Sequence, residues 1–377
     1  MSSFLIACGG TGGHLAPGIA LAEALRARGH ATTLFISRKQ IDARLCGKYP
    51  DLHTVSVPET SFSWRPDRTA RFFVRQLQGL AFSLNYLRRN KPDVIVGFGG
   101  FTNTGIVIAG RWRHVPVALH EANRVPGRAI RWLSRIANRL YLPPGVRLPG
   151  RSGLFVRHTG LPVRNEVARL QQLEARAQLG VDPLQKLLVI VGGSQGAGPL
   201  NRWVEDNLPA LAQEGVQLWC VTGPGKGKAG VRELKAQNGA TVRAWSEPFT
   251  DRIGLLFSAA DLVVSRAGAG TLAELVRCET PAILVPFPHA ANNHQSANAR
   301  FFELQGGGLV VEESSLSSLK QEVTDVLFND WLTTKFRENL RRMARENTTE
   351  AIVQDLEALA RGESPSRHLR HAAASAA

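Results

Sequence analysis

Phe4-Leu5-Ile6-Ala7-Cys8-Gly9-Gly10-Thr11-Gly12-Gly13-His14 and Leu187-Leu188-Val189-Ile190-Val191-Gly192-Gly193-Ser194-Gln195-Gly196-Ala197 decide the fold. Each runs from a short apolar strand through a glycine turn into a helical pattern. The start of a helix leaves backbone N–H groups without acceptors, and its dipole adds positive potential, so each turn is a candidate anion site. One such turn also serves as a plain strand-to-helix connection. Two of them, about 180 residues apart, predict two nucleotide-binding-like domains facing one cleft.

Outward from these turns, apolar runs alternate with helical patterns, which predicts an α/β fold with parallel sheets covered on both faces. Strands are expected at 3–8, 31–36, 53–57, 93–97, 115–119 and 139–142. In the second half they are expected at 187–191, 217–221, 240–244, 261–264, 282–285 and 308–311. A turn-rich run from Leu142 to Gly150 separates the halves, and the boundary falls near Gly160-Leu161-Pro162-Val163-Arg164. The chain divides into an N-terminal domain, 1–162, and a C-terminal domain, 163–340. A helical stretch, 341–362, can return to the first domain, and a small polar tail, 363–377, reads as disordered.

At 377 residues the chain exceeds one ordinary core and suits two domains. Cys8, Cys46, Cys220 and Cys278 are scattered without a CxxC pair, which predicts reduced thiols. No basic apolar leader and no run of 18 apolar residues occur, so a cytoplasmic protein is expected. The net charge of +15 is unevenly placed: residues 1–160 carry 23 Lys and Arg against 7 Asp and Glu, while 161–377 carry 23 against 24. Such a field attracts nucleic acid, anionic lipid or a polyanionic substrate. No helix-turn-helix, zinc-finger or RNP-type signature accompanies it, which argues against nucleic acid.

A helix is expected near 68–89. At 100° per residue, Phe73, Leu77, Leu80, Leu84 and Leu87 form one stripe, read as the face that packs on the sheet. Arg68, Arg71, Phe72, Arg75, Phe82, Tyr86 and Arg89 fall opposite. Basic residues among aromatics describe a surface that meets anionic lipid. The alternative is that Phe72 and Phe82 pack under a neighbouring loop. Arg111-Trp112-Arg113 is a second patch of the same character.

Three further segments end predicted strands: Gly97-Phe98-Gly99-Gly100-Phe101, His120-Glu121-Ala122-Asn123, and Arg266-Ala267-Gly268-Ala269-Gly270-Thr271-Leu272-Ala273-Glu274. The carboxyl ends of parallel strands are where open α/β sheets bind ligands. With these segments in hand, the chain resembles the MurG family over residues 3–360. The GGTGGH opening, the Gly-x-Gly-Gly-aromatic loop, the His-Glu-x-Asn turn with Val125-Pro126-Gly127, Pro162-Val163-Arg164, GGSQGA, and Gly-Ala-x-Thr-x-x-Glu recur in family order. His294-Gln295 with Asn298-Ala299 also matches. Ala122, Leu161 and Asn103-Thr104-Gly105 depart from the family pattern and bear on acceptor recognition.

The resemblance implies a GT-B fold, two Rossmann-like doubly wound domains around a central cleft. The donor UDP-GlcNAc is expected on the C-terminal domain and the acceptor, undecaprenyl-diphosphate-linked MurNAc-peptide, on the N-terminal one. It implies an inverting N-acetylglucosamine transferase of peptidoglycan synthesis on the cytoplasmic face of the bacterial inner membrane. Its expected partners are an anionic membrane surface and cell-wall synthesis proteins, with no nucleic acid. No cofactor or metal is called for, since UDP-GlcNAc is a substrate and His120-Glu121 lacks partners at ligand spacing.

Sugar transfer needs a stabilised diphosphate, a positioned hydroxyl and a proton acceptor. Backbone N–H groups around Ser194, Gln195 and Gly196 can hold phosphate, and Arg164 can add a charge-assisted bond. Glu274 can accept ribose hydroxyls. The resemblance places uracil near Phe249 and Thr250, and His294 and Gln295 by the sugar and phosphates. The donor set is completed by Thr11, Gly12, Gly13 and Asn123. His14 leads as base, because a helix N-terminus disfavours imidazolium, and Glu121 is the second catalytic candidate. Gly99, Gly100 and Phe101, with Arg68, Phe72, Arg75, Phe82 and Trp112, form the acceptor and membrane set.

Each has a plainer alternative. His14 can bond a neighbouring loop, Arg164 can be a hinge ion pair, and Thr271-x-x-Glu274 can be a capping box. Rivals for the whole chain are a glycolipid transferase or a UDP-GlcNAc 2-epimerase of the same fold, and a non-catalytic nucleotide-sugar-binding subunit. The basic-aromatic helix disfavours the epimerase, and retention of His14 and Glu121 disfavours the subunit.

Overall fold

Seven parallel strands form the first sheet: β1 (Ser3–Ala7), β2 (Ala31–Ser37), β3 (His53–Val57), β4 (Val94–Gly97), β5 (Val117–His120), β6 (Arg139–Leu142) and β7 (Val156–His158). Their order is β3-β2-β1-β4-β5-β6-β7. The second sheet holds β8 (Leu187–Val191), β9 (Gln217–Val221), β10 (Gly230–Lys235), β11 (Thr241–Glu247), β12 (Leu262–Ser265), β13 (Ala282–Leu284) and β14 (Gly308–Val310). It runs β10-β11-β9-β8-β12-β13-β14, parallel except for the edge strand β10. In both sheets the chain steps outward from the first strand, returns, and continues on its other side. Right-handed crossovers then place helices on opposite faces, and the loops diverge at β1/β4 and β8/β12.

This computed structural model describes residues 1–9, 12–37, 45–58, 66–100, 103–150, 155–344 and 348–363. Thr11, Phe101 and the tail from 364 lie outside the described residues, as do the side chains of Arg68 and Phe72. One unit holds Met1–Arg164 and the chain from Asn347 onward; the other holds Asn165–Glu346. The two crossings, 164/165 and 346/347, stand near the boundaries expected at 162/163 and 340/341.

Burial on both faces explains the continuous apolar strands. In β1, Phe4 and Ile6 point to the side covered by α1 (Gly12–Ala27), with Leu15 and Ile19. Leu5 and Ala7 point to the other, with Ile106 and Val107 of α3 (Thr104–Trp112). The last helix, α12 (Thr348–Ala360), adds Ile352, Val353 and Leu356 to the α1 side. Arg28 binds both Glu350 and Glu357 of that helix at 2.8 Å.

The helix α2 (Pro66–Arg89) forms, and three residues of the predicted stripe face the core: Leu87 is buried, and Leu80 and Leu84 pack against it, while Leu77 does not. Gly79, Ser83 and Leu87 are buried, whereas Val74 and Leu77 are 54% and 67% exposed. Phe82 packs against the core ring of Phe35 at 6.1 Å, and Tyr86 at 4.9 Å. Phe82 therefore belongs to the protein interior rather than to a lipid-facing surface. The cause is the neighbour: Gly105 of α3 meets the backbone of Gly79, so a Cβ on Gly105 would lie 2.9 Å from Gly79 C. Small residues permit that close approach, which brings Gly79 and Ser83 into the buried face beside Leu80 and Leu87. Among the described residues, no helix is long and apolar enough to cross a membrane.

Candidate active site

In the first unit, candidates gather on loops at the carboxyl ends of β1, β4 and β5. His14 is the third residue of α1, and a Cβ placed on Gly99 would lie 3.7 Å from its Nε2. Gly99 and Gly100 follow β4 with φ of +90° and +76°, a left-handed pair that only glycine adopts without strain. Buried Asn103 donates its side-chain amide to the Gly99 carbonyl and so braces that loop.

Glu121 is 5% exposed, and both its oxygens serve its own turn. Oε1 accepts the Asn123 backbone N–H at 2.9 Å and its side-chain amide at 3.2 Å; Oε2 accepts the Gly127 N–H at 2.8 Å. Burial pushes the carboxyl pKa up, and these donors pull against that. The carboxylate holds the Ala122–Gly127 turn in shape, a positioning arrangement. His120 is turned inward: Nε2 donates to the Gly160 carbonyl at 2.9 Å, and the ring stacks on Phe98. Arg164 is buried at the end of this unit.

In the second unit, Gly192–Gly196 follows β8 and leads into α6 (Gly198–Gln213). Gly193 and Gly196 have φ of +83° and +68°, and the Gly196 N–H closes the turn on the Gly193 carbonyl at 2.9 Å. A Cβ on Gly192 would strike Ala197 N at 2.2 Å. Ser194 and Gln195 are exposed, and no acceptor among the described residues takes their N–H groups. Such a run of donors at a helix start is suited to phosphate.

The remaining loops meet this one at the same sheet edge. Phe249 and Thr250 follow β11, and Thr250 Oγ1 accepts the Arg252 N–H. After β12, α8 (Ala269–Cys278) is capped by Gly268, so Thr271 lies inside the helix and Glu274 in its second turn. The capping-box alternative for Glu274 therefore fails. Arg266 joins the β12 and β13 loops by donating to the carbonyls of Val285 and Pro286, 3.2 Å each. Asn298 ties α9 (His294–Leu304) to the Ala267 carbonyl at 3.2 Å.

At the start of α9, His294 Nδ1 donates to the Ala291 carbonyl, leaving Nε2 as the ring's other polar atom. Gln295 Oε1 accepts the Phe287 N–H at 2.9 Å, which leaves its amino group to donate. Asn292 and Asn293 both adopt φ near +54°, a strained pair that turns the chain into this helix.

Arg266 and Asn298 lie in segments the sequence singled out, but their role as loop braces rests on backbone carbonyls that no side-chain pattern reports. Sequence reasoning missed Trp132 of α4 (Arg128–Leu133), 73% exposed with Arg135 stacked on its ring at 5.4 Å. Trp112 is 61% exposed and Arg75 is exposed. The signal for Trp132 was present in Arg131-Trp132 and Arg135, the same basic-aromatic pattern as Arg111-Trp112-Arg113.

Residues 4–142 match the glycosyltransferase family 28 N-terminal domain, and residues 187–354 match its C-terminal domain. The chain is 59% identical to the UDP-N-acetylglucosamine–N-acetylmuramyl-(pentapeptide) pyrophosphoryl-undecaprenol N-acetylglucosamine transferase of Opitutus terrae, covering 96% of both chains. It is 35% identical to the enzyme of that name from Parasynechococcus marenigrum, covering 95% of this chain and 99% of the relative. Among solved structures, MurG of Acinetobacter baumannii is 23% identical with a TM-score of 0.70, over 95% of this chain and 99% of that one. The Streptomyces glycosyltransferase SsfS6, solved with thymidine diphosphate, is 17% identical with a TM-score of 0.63, over 95% and 99%. Both likenesses agree with a two-domain α/β fold of the GT-B type. By its two matched domains and its full-length relatives, the chain belongs to the MurG family of N-acetylglucosamine transferases within glycosyltransferase family 28.

Proposed function

We propose that this protein moves N-acetylglucosamine from UDP-GlcNAc to the C4 hydroxyl of MurNAc in undecaprenyl-diphosphate-MurNAc-pentapeptide, the step from lipid I to lipid II. The observation that carries the reading is the 59% identity, over 96% of both chains, to a transferase of that name. The paired strand–glycine-turn–helix motifs support it.

The roles assigned here join the family resemblance to the hydrogen-bonding groups that each unit leaves open. The open N–H groups of Ser194 and Gln195 receive the donor diphosphate, Glu274 accepts the ribose hydroxyls, and the Gln295 amino group donates to the sugar. Uracil lies by Phe249 and Thr250, and Arg164 adds charge to the donor. On the first unit, His14 is the base and Glu121 shapes the acceptor turn. The acceptor oxygen attacks the anomeric carbon opposite the leaving UDP, that carbon's bond to the diphosphate oxygen breaks, and the hydroxyl proton passes to His14. One displacement inverts the anomeric centre. UDP-GlcNAc is a substrate, and no resident cofactor or metal is assigned.

Arg75, Trp112 and Trp132, with Arg111, Arg113 and Arg135, give the first unit a basic-aromatic surface suited to an anionic membrane. The reading is therefore a peripheral enzyme of the cytoplasmic face of the inner membrane. Labelled UDP-GlcNAc and a lipid I analogue in detergent test it, with His14→Ala alongside. Transfer that collapses in the variant supports the reaction and the base; donor binding without transfer by the wild type would refute the acceptor.

A further inference from the structure

A glycine-rich basic loop, Thr222-Gly223-Pro224-Gly225-Lys226-Gly227-Lys228, follows β9 and lies directly against the turn after β8. The two backbones touch: a Cβ on Gly196 would lie 2.0 Å from the Thr222 carbonyl oxygen, and one on Gly223 would lie 2.5 Å from Gly196 Cα. Lys226 Nζ donates to the Gly196 carbonyl at 3.1 Å. Its backbone is held in place, since the Asn201 side-chain amide donates to the carbonyls of Thr222 at 3.0 Å and Lys226 at 3.4 Å. The Lys226 N–H closes a turn on the Gly223 carbonyl.

The electrostatics of this corner run against a protein that has no anion to bind. The first turn of α6 carries no acidic residue, although a carboxylate there would be favoured by the helix dipole. Instead a lysine ammonium sits on the preceding turn, and the Arg202 guanidinium reaches within 3.7 Å of where a Cβ on Gly198 would be. Cations beside a helix N-terminus repel its dipole until an anion arrives between them. Backbone N–H groups can orient a diphosphate but carry no net charge to meet the one that builds up as UDP leaves.

We propose that Lys226 is a further positioning residue for the donor: its ammonium, anchored on Gly196, neutralises the diphosphate held by the Ser194–Gln195 turn. This rests on the UDP-sugar reading above. Of its three N–H donors one is on Gly196, leaving two for phosphate oxygens.

The experiment is calorimetric titration of the full chain with UDP and, separately, uridine, for wild type, Lys226→Ala, Lys226→Arg and Lys228→Ala. The expected result is UDP affinity lower by on the order of 10- to 100-fold in Lys226→Ala, partly restored in Lys226→Arg. Uridine affinity should be unchanged, which a merely structural role for the lysine would not produce. Wild type that binds no UDP would overturn the donor reading itself. Wild type that binds UDP together with a Lys226→Ala variant of equal affinity would overturn only the lysine assignment, as would an equal loss in Lys228→Ala.

Discussion

The Tyr141 hydroxyl donates to Asp355 Oδ2 at 2.8 Å, joining β6 of the first sheet to α12. Both residues are buried, and Asp355 also lies 3.3 Å from Arg139 Nε and 3.5 Å from Arg157 Nε. Burial, then the charge of Asp355, hold the Tyr141 phenol well above its ordinary pKa, so it remains a donor. Removing one member of a buried ionic cluster leaves the others uncompensated. Asp355→Ala should therefore cost about 3–5 kcal/mol in urea unfolding of the first unit. Tyr141→Phe, which loses one hydrogen bond, should cost about 1 kcal/mol. Equal midpoints for wild type and Asp355→Ala would show that the cluster does not hold the helix.

His120 predicts an acid sensitivity. Burial lowers its pKa from 6.5 to about 4, and the bond from Nε2 to Gly160 only partly offsets this. The folded state thus binds a proton less readily than the unfolded chain. The stability from this residue is complete above pH 6.5 and is lost as pH falls toward 4, on the order of 3 kcal/mol in all. His120→Gln should flatten the dependence of stability on pH in that window while the wild type declines. Parallel curves for the two proteins would remove His120 from the account.

Twelve of the fourteen strands of the two sheets were legible, most of them as apolar runs buried on both faces; β3 and β11 are partly exposed and were legible by alternation and β-branched residues. The other two are edge strands with little to bury. Val156-Arg157-His158 (β7) is three residues long with two of them polar, while β10 is almost wholly exposed and reads as charged loop. The glycine turns were legible because their conformations require glycine at Gly99, Gly193 and Gly196.

The orientation of α2 was legible only in part: Leu80, Leu84 and Leu87 face the core as the stripe predicts, but Leu77 is exposed and Phe82 packs inward. Hydrophobic periodicity weighs leucines and phenylalanines, but this helix is seated by Gly79 and Ser83, whose smallness matters only once Gly105 is beside them. Likewise Glu121 stood out by type, whereas its use within its own turn depends on the Gly127 N–H, which no side-chain pattern reports.

Gln295 separates two functions of one side chain. Its oxygen holds the Phe287 N–H, and its amino group is the part assigned to the donor sugar. Gln295→Glu keeps the acceptor and removes the donor. It should leave thermal stability unchanged and lower kcat/KM for UDP-GlcNAc by on the order of 10- to 100-fold, with UDP affinity little affected. If stability falls along with activity, the amide serves the loop rather than the sugar.

The proposed membrane surface and the interior can be told apart on α2 and its neighbours. Leu77, Trp112 and Trp132 are exposed, so Leu77→Asp, Trp112→Ser and Trp132→Ser should leave unfolding midpoints unchanged and weaken sedimentation with vesicles containing anionic lipid. Phe82 rests on Phe35, so Phe82→Ser should do the reverse, costing about 2 kcal/mol with vesicle binding retained by the folded fraction. Raising salt should release the wild type from vesicles, because the arginines beside these tryptophans act through a screened field. Binding that survives both the three exposed substitutions and high salt would place the lipid-facing surface elsewhere on the chain.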